Sequence, residues 1–145
     1  MTTNRTAIAR SHSPSHPKMF TDWLYICPQI THWGPRFARE LWDVPVIYIT
    51  ENGCPCDDQV NAAGKVEDTD RVMYVRNHLL SLQRAIREGV PVQGYFVWSM
   101  MDNFEWVRGY DERFGIIHVD FDTLVRTPKL SADFYREVIR TGRVV

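Results

Sequence analysis

The stretch that decides the fold reads VIYITENG and occupies residues 46–53. Its first five residues form a short apolar run rich in β-branched side chains, and Glu51-Asn52-Gly53 ends that run abruptly. A strand that is buried on both faces has this composition, so the run predicts a strand of a parallel sheet. The carboxyl end of such a strand is where α/β proteins place their chemistry, because the loops there converge on one cleft. Glu51 is therefore a candidate nucleophile or general base, and the alternative is a loop-entry glutamate without function.

The sequence on both sides of this stretch predicts alternating helices and strands. The predicted elements are a short helix over 36–42 opened by Gly34-Pro35, the strand over 46–50, a polar loop over 54–68, a helix carrying Val72, Val75, Leu79, Leu82 and Ile86 on one face, and a second apolar strand over 92–98. Asp68 or Thr69 is expected to cap the second helix. Strand, helix and strand at these lengths predict a βαβ unit with a right-handed crossover.

The last third of the chain has a different pattern. Residues 115–121 alternate between apolar and polar side chains, and residues 125–127 are expected to return as the second strand of a hairpin. Ser131 is expected to cap a closing helix over 132–140 that ends at Gly142.

Aromatic and acidic side chains follow the second strand directly. Residues 98–106 contain two tryptophans, two acids and an amide. Tryptophan is rarely left exposed and acids are costly to bury, so the mixture favours a wet pocket with aromatic walls. Sugars fit such a pocket, and a glycosidase with paired carboxylates is one interpretation, with Glu51 and Glu105 as candidates whose roles the local sequence leaves open. The alternative is a core strand followed by an acidic surface loop.

Composition narrows the class of protein. The chain has 145 residues, of which 44% are hydrophobic, which is enough for one core. Its 17 basic and 18 acidic residues nearly balance, which argues against a nucleic-acid partner. No run approaches the roughly 18 apolar residues of a membrane span, and residues 1–20 lack the apolar core of a secretion signal. We therefore expect a cytoplasmic protein without a membrane partner, with residues 1–20 as a poorly ordered lead-in to a domain over 21–145.

The residues with metal-binding side chains lack the spacing of known sites. The three cysteines do not have the usual C-x₂-C spacing, so we expect plain thiols in a loop. Asp57, Asp58 and Asp70 lack the spacing of an EF-hand, so we expect them in a solvated loop. His78 is expected at the surface or boundary of its helix. No metal and no cofactor are therefore expected.

Several motifs together resemble glycoside hydrolase family 1, the β-glucosidases and their relatives. The matching stretches, in the order of the family, are Tyr48–Gly53, Gly94–Ser99, Asp102–Trp106, Gly109-Tyr110, Arg113-Phe114-Gly115 and Arg126–Lys129. The resemblance covers roughly residues 20–141. It implies an α/β fold, the (β/α)₈ TIM barrel, of which only the last part is present, with 46–50 as the seventh strand and 92–98 as the eighth.

The resemblance also implies roles for five residues. Glu51 is the nucleophile of a retaining, double-displacement mechanism by this resemblance. Trp98 is the aromatic platform under the sugar, Glu105 binds sugar hydroxyls with the help of Trp106, and Phe114 lines the same subsite. The family therefore assigns substrate binding, and not acid/base catalysis, to Glu105. The implied substrate is a β-linked glucoside or a related small saccharide.

The chain also departs from the family pattern. The family carries its acid/base glutamate in an Asn-Glu-Pro motif on the fourth strand, and no Asn-Glu-Pro occurs in this sequence. We therefore expect the carboxyl-terminal portion of a family 1 enzyme, inactive alone, and the alternative is a non-catalytic carbohydrate-binding remnant. The strand over 46–50 would then be an edge strand with a bare inner face, and Phe96 and Trp98 would lack partners. Such an exposed barrel edge promotes self-association.

Overall fold

The computed structural model of the protein describes residues 16–144. Its helices are α1 (Ile30–Trp42), α2 (Thr69–Arg87) and α3 (Leu130–Thr141), and its strands are β1 (Ile47–Asn52), β2 (Val92–Val97), β3 (Ile117–Val119) and β4 (Arg126–Pro128), with a short 3₁₀ turn over Trp106–Arg108. Residues 1–15 lie outside the described residues, and most of the lead-in predicted over 1–20 lies with them. Its boundary stays a prediction.

Two small sheets carry the strands. β1 and β2 are parallel, with Ile47 opposite Val92 and Asn52 opposite Val97, and α2 connects them. The predicted strand–helix–strand unit is therefore confirmed. β3 and β4 are antiparallel, which confirms the predicted hairpin.

The first helix begins at Ile30, whereas the sequence predicted Arg36. The backbone amides of Ile30 and Thr31 donate to the carbonyl oxygens of Cys27 and Pro28, so the preceding turn continues directly into α1. Pro35 consequently lies inside the helix. Its missing N–H leaves the helix without one backbone hydrogen bond.

The predicted helix caps are wrong in detail. α3 begins at Leu130 with Lys129 at the N-cap position, so Ser131 lies within the first turn. Asp68 is the N-cap residue of α2, but its side chain makes no capping hydrogen bond. The two side chains instead bond each other, because the Ser131 hydroxyl donates to Asp68 Oδ2 at 2.6 Å. A tertiary hydrogen bond between the first turns of α2 and α3 thus takes the place of a side-chain cap within each helix.

The core lies between the parallel sheet and α2. Its central cluster consists of Cys54, Cys56, Tyr74, Val75 and Leu79, with Tyr95, Val97, Phe134 and Val138 packed against it. The loop over 54–68 is therefore more than a polar connection, because its two cysteines are core residues. Ile86, predicted on the apolar face of α2, is exposed.

His78 is buried, so its predicted surface position is wrong. Only 1% of the residue is exposed, and its ring stacks on that of Tyr74 with the centroids 4.0 Å apart. Its Nδ1 donates to the Tyr74 carbonyl oxygen at 2.8 Å. Burial lowers the pKa of His78, which keeps the ring neutral in the core.

One face of the parallel sheet is bare. Tyr48 is 55% exposed and Phe96 is 56% exposed, so the predicted burial of the first strand on both faces is wrong. The helices cover only the opposite face, from which Tyr95 and Val97 contact the core cluster. The expectation of an edge strand with a bare inner face is confirmed. Within residues 16–144, no helix combines the length and the apolar character needed to cross a membrane.

Candidate active site

The candidate site lies at the carboxyl ends of the two parallel strands. Glu51 and Asn52 are the last two residues of β1, so the strand extends further than the sequence predicted. Trp98 follows β2 directly. Parallel strands end at the same edge of a sheet, so the two segments that follow them meet there.

The structure brings all five predicted site residues to one cleft of about 280 Å³. The residues that line it are Glu51, Trp98, Glu105, Trp106 and Phe114, together with Trp23, Leu24, Asn52, Gly53 and Tyr74. A larger groove of about 730 Å³ lies beside the loop over 56–70 and α2. None of the five predicted residues lines that groove, so the smaller cleft is the candidate site.

Glu105 has a perturbed acidity. Its partial burial raises the pKa of the carboxyl group, and the nearby negative charges of Glu112 and Glu51 raise it further. The oxygens of a carboxyl group accept hydrogen bonds from hydroxyl groups. This suits a group that contacts hydroxyls.

Two tyrosines hold the end of β1. The Tyr95 hydroxyl donates to Asn52 Oδ1 at 2.7 Å, and Asn52 Nδ2 donates to the Tyr74 hydroxyl at 3.4 Å. Burial raises the pKa values of both tyrosines, so both hydroxyls stay protonated at neutral pH. The Asn52 side chain is thus fixed beside Glu51 without any charge.

The two strand ends touch through Gly53. A Cβ atom on Gly53 would lie 1.6 Å from the carbonyl oxygen of Trp98, which is far inside van der Waals contact. The peptide between Trp98 and Ser99 is cis, and the Ser99 amide donates to the carbonyl oxygen of Phe114 at 3.1 Å. Backbone contacts of Gly53 with Trp98 and of Ser99 with Phe114 therefore hold the segments that carry Glu51, Trp98 and Phe114 together.

Trp23 is a further aromatic residue that lines the cleft. Trp23 stacks on Phe114 with the ring centroids 6.0 Å apart, and its Nε1 donates to Glu112 at 3.2 Å. Thr21 donates to the other oxygen of the same carboxylate at 2.8 Å. The sequence did not identify Trp23 as a cleft residue, nor Glu112 as the acceptor that holds it. Trp23 begins a mostly apolar stretch, and nothing in its spacing relates it to either strand.

A buried ion network joins the segments that follow β1 and β2. It consists of Asp58, Asp68, Arg71, Asp102, Arg113 and Lys129. Three carboxylates thus face three cations, so the formal charges cancel. All but Arg113 are almost fully buried, and burial without pairing would cost several kcal/mol per ion. The prediction that Asp58 lies in a solvated loop is wrong.

The network determines the ionisation of Asp102. Burial opposes ionisation, but Lys129 and then Arg113 outweigh it and hold the pKa of Asp102 below its ordinary value. Among residues 16–144, no three His, Cys, Asp or Glu side chains are grouped so that they could hold a metal ion. Cys54 and Cys56 are buried, and burial raises the pKa of the Cys54 thiol well above its usual range.

(β/α)₈ barrels and open α/β sheets both place a cleft at the carboxyl ends of parallel strands, as this chain does. Residues 1–144 match the family model of glycosyl hydrolase family 1. The chain belongs to that family, which confirms the resemblance noted in the sequence.

Curated relatives and solved structures agree with the family. A 1,4-β-D-glucan glucohydrolase of Thermotoga neapolitana is 45% identical over 126 residues, which are 87% of this chain and 28% of that protein. β-Glucosidase 1 of Oryza sativa subsp. japonica is 41% identical over 130 residues, which are 90% of this chain and 25% of that protein. The family 1 β-glucosidase of Thermotoga maritima in complex with isofagomine lactam superposes with a TM-score of 0.85 at 42% identity. That match covers 89% of this chain and 29% of the other, so the chain spans less than a third of these relatives and is a partial (β/α)₈ fold.

Proposed function

We propose that this chain supplies the nucleophile and one wall of the sugar subsite of a retaining β-glucosidase-type hydrolase. The observation that carries the proposal is the position of Glu51 at the end of β1, in the same cleft as Trp98 and Glu105. The family supports it, and so do solved neighbours from Thermotoga maritima in complex with glucoimidazole and with deoxynojirimycin. The proposed substrate is a β-linked glucoside or a related small saccharide.

The proposed reaction has two displacements. In the first, a Glu51 oxygen attacks the anomeric carbon and forms an ester C–O bond to it. The bond from that carbon to the leaving oxygen breaks at the same time, and an acid protonates the leaving oxygen. A water molecule then attacks the same carbon and loses a proton to the conjugate base of that acid. This step breaks the ester bond, releases the sugar and returns Glu51 as a carboxylate.

The remaining cleft residues have binding roles in this proposal. Trp98 stacks on the C–H face of the sugar, and Phe114 lines the same subsite. Glu105 accepts hydrogen bonds from sugar hydroxyls with the help of Trp106.

The proposed acid lies outside the cleft formed by this chain. No Asn-Glu-Pro motif occurs in the 145 residues, and the cleft residue Glu105 is assigned to binding. A positioned general acid contributes about 10²–10⁴-fold to the rate, so the chain alone should hydrolyse an unactivated disaccharide at a negligible rate. A purified 145-residue chain that cleaves such a disaccharide at ordinary rates would refute this point.

A second candidate function is carbohydrate binding without hydrolysis. It is favoured by the combination of an aromatic wall with the absence of the Asn-Glu-Pro motif. The cytoplasmic location and the absence of nucleic-acid and membrane partners stay predictions from the sequence.

A chimaera separates the two candidates. This chain would replace the corresponding 29% of the Thermotoga maritima β-glucosidase, so that the other strands come from the relative. We expect hydrolysis of an aryl β-glucoside, and Glu51→Gln should lower the rate by at least about 10³-fold. Glu67→Gln, which changes an exposed loop carboxylate, is the matched control and should leave the rate unchanged.

The outcomes are distinct. A folded chimaera with activity that survives Glu51→Gln contradicts the nucleophile assignment. A folded chimaera that binds deoxynojirimycin but hydrolyses nothing favours the binding function. In parallel, the 145-residue chain should be folded by near-UV circular dichroism and inactive, and activity lost on Glu51→Gln would show that it assembles a working site alone.

A further inference from the structure

We propose that the buried ion network positions the sugar-binding wall of the cleft, with Asp102 and Lys129 as its positioning residues. The inference rests on the proposed function for the identity of the ligand. It rests on the geometry alone for the mechanical role, because neither residue lines the cleft.

The loop between Trp98 and Glu105 carries the aromatic wall of the cleft. Asp102 lies in the middle of the loop between Trp98 and Glu105. Lys129 Nζ donates to its Oδ1 at 2.7 Å and Arg113 donates to its Oδ2 at 2.7 Å. The loop is therefore held at its midpoint by groups that lie outside it.

Backbone groups complete the same carboxylate. The amide of Gly115 donates to Asp102 Oδ1 at 3.0 Å, and the amide of Val119 donates to Oδ2 at 3.3 Å. Gly115 has no room for a side chain, because a Cβ atom there would lie 2.1 Å from the Asp102 amide nitrogen. The Asp102 backbone is thus pressed directly against the segment that carries Phe114.

The same network also contacts the segment that follows β1. Lys129 Nζ also donates to Asp58 Oδ2 at 2.5 Å, and Arg71 donates to both oxygens of Asp58 at 3.1 and 2.7 Å. Arg71 further donates to the carbonyl oxygen of Cys54 at 3.3 Å, three residues after Glu51. One set of charges therefore holds the segments that follow both strands.

Displacing either loop from this network would cost free energy. Lys129 and Arg71 have 0% exposure, so moving either loop away would leave a buried charge without its partner. Such a loss costs far more than the loss of an exposed pair like Glu137 and Arg140. The network therefore gives each loop one low-energy position, which is what a site that discriminates between sugar epimers needs.

The experiment compares Lys129→Met and Asp102→Asn with Arg140→Met in the 145-residue chain. Lys129→Met and Arg140→Met both remove a cation from an ion pair, one buried and one exposed. Hydrogen–deuterium exchange reports each loop directly. We expect faster exchange over 99–106 and 54–58 in the first two variants, with β1, β2 and α2 still protected and with no change in the control.

The second readout is the affinity for deoxynojirimycin relative to its galactose-configured epimer, measured by calorimetry on the same variants in the chimaera with the Thermotoga maritima β-glucosidase, which supplies the rest of the subsite. The two ligands differ in the direction of one hydroxyl. We expect the affinity ratio to fall by about tenfold in both network variants, because small displacements of binding groups have effects of this order. A role confined to folding would leave the ratio unchanged in the folded fraction.

The outcomes divide as follows. Unchanged exchange overturns the proposal, because the network would then hold neither loop. Uniformly faster exchange across all elements, or complete unfolding of both variants, also overturns it, because the network would then stabilise the fold as a whole. Local exchange with an unchanged affinity ratio also overturns it. Local exchange together with a folded chimaera that binds neither ligand supports the positioning of the loops and contradicts the proposed function.

Discussion

Gly53 is the residue at which the requirements of the fold and of the site coincide. It follows Glu51 and Asn52, and the Trp98 carbonyl oxygen occupies the space that any side chain would need. A larger residue would have to push β1 and β2 apart at the end where the cleft forms. The sequence marked Gly53 only as the end of a strand, because the distance to Trp98 depends on the register of two strands 40 or more residues apart in the chain.

Gly53→Ala should destabilise the protein severely. The new methyl group meets backbone and not the end of a flexible side chain, so we expect a loss of roughly 3 kcal/mol or more in the free energy of unfolding. Gly34→Ala is the matched control. No atom lies within 4 Å of the Cβ position of Gly34, and alanine favours a helix by about 1 kcal/mol over glycine. Urea unfolding of both variants measures the difference, and equal stabilities would contradict the close contact.

The helix α2 is the element that joins the core to the site. Its inner face carries Val75, Leu79 and Leu82 as the apolar spacing predicted, but it also buries Arg71 and His78. The spacing of apolar residues identifies the buried face of a helix. It does not identify the groups that pack against that face. His78 is accommodated because the Tyr74 ring stacks on it and the Tyr74 carbonyl oxygen accepts a hydrogen bond from its Nδ1.

The buried His78 should make the stability of the protein depend on pH. Its folded-state pKa lies below 6.5, so the unfolded chain binds the proton more readily, and stability is lost as the pH falls from 6.5 towards the folded pKa. We expect the free energy of unfolding to be lower at pH 5.5 than at pH 7.5. His78→Gln should reduce this difference, while His118, whose pKa burial also lowers, retains part of it. Identical pH slopes for wild type and His78→Gln would contradict the assignment.

The whole molecule has a covered face and a bare one. Tyr48 lies over Gly94 beside Phe96 on the side of the sheet away from the helices, and both aromatic rings are more than half exposed. Exposed apolar strands with unpaired edges associate with other chains.

We therefore expect the isolated chain to self-associate through this face. Sedimentation velocity should show species heavier than the 17.0 kDa monomer, in proportions that rise with concentration. The double variant Tyr48→Lys and Phe96→Lys should shift the chain to the monomer, because it places two charges on the apolar surface. Val107→Lys changes another exposed apolar residue, outside this sheet face, and should leave the association unchanged. A monomeric wild-type chain would contradict the prediction.

The sequence alone determined the local elements and the position of the chemistry along the chain. A run rich in β-branched residues identified β1 and a short apolar run identified β2. The residues that follow them, Glu51 and Trp98 among them, were selected because strand ends share an edge. These signals are local, since each depends on neighbours within one element. Only the tertiary structure placed Trp23 on the cleft wall and joined Asp58 to Lys129. Those contacts link residues far apart in the chain, and a charged residue in a loop has the same local pattern whether water or another charge finally surrounds it.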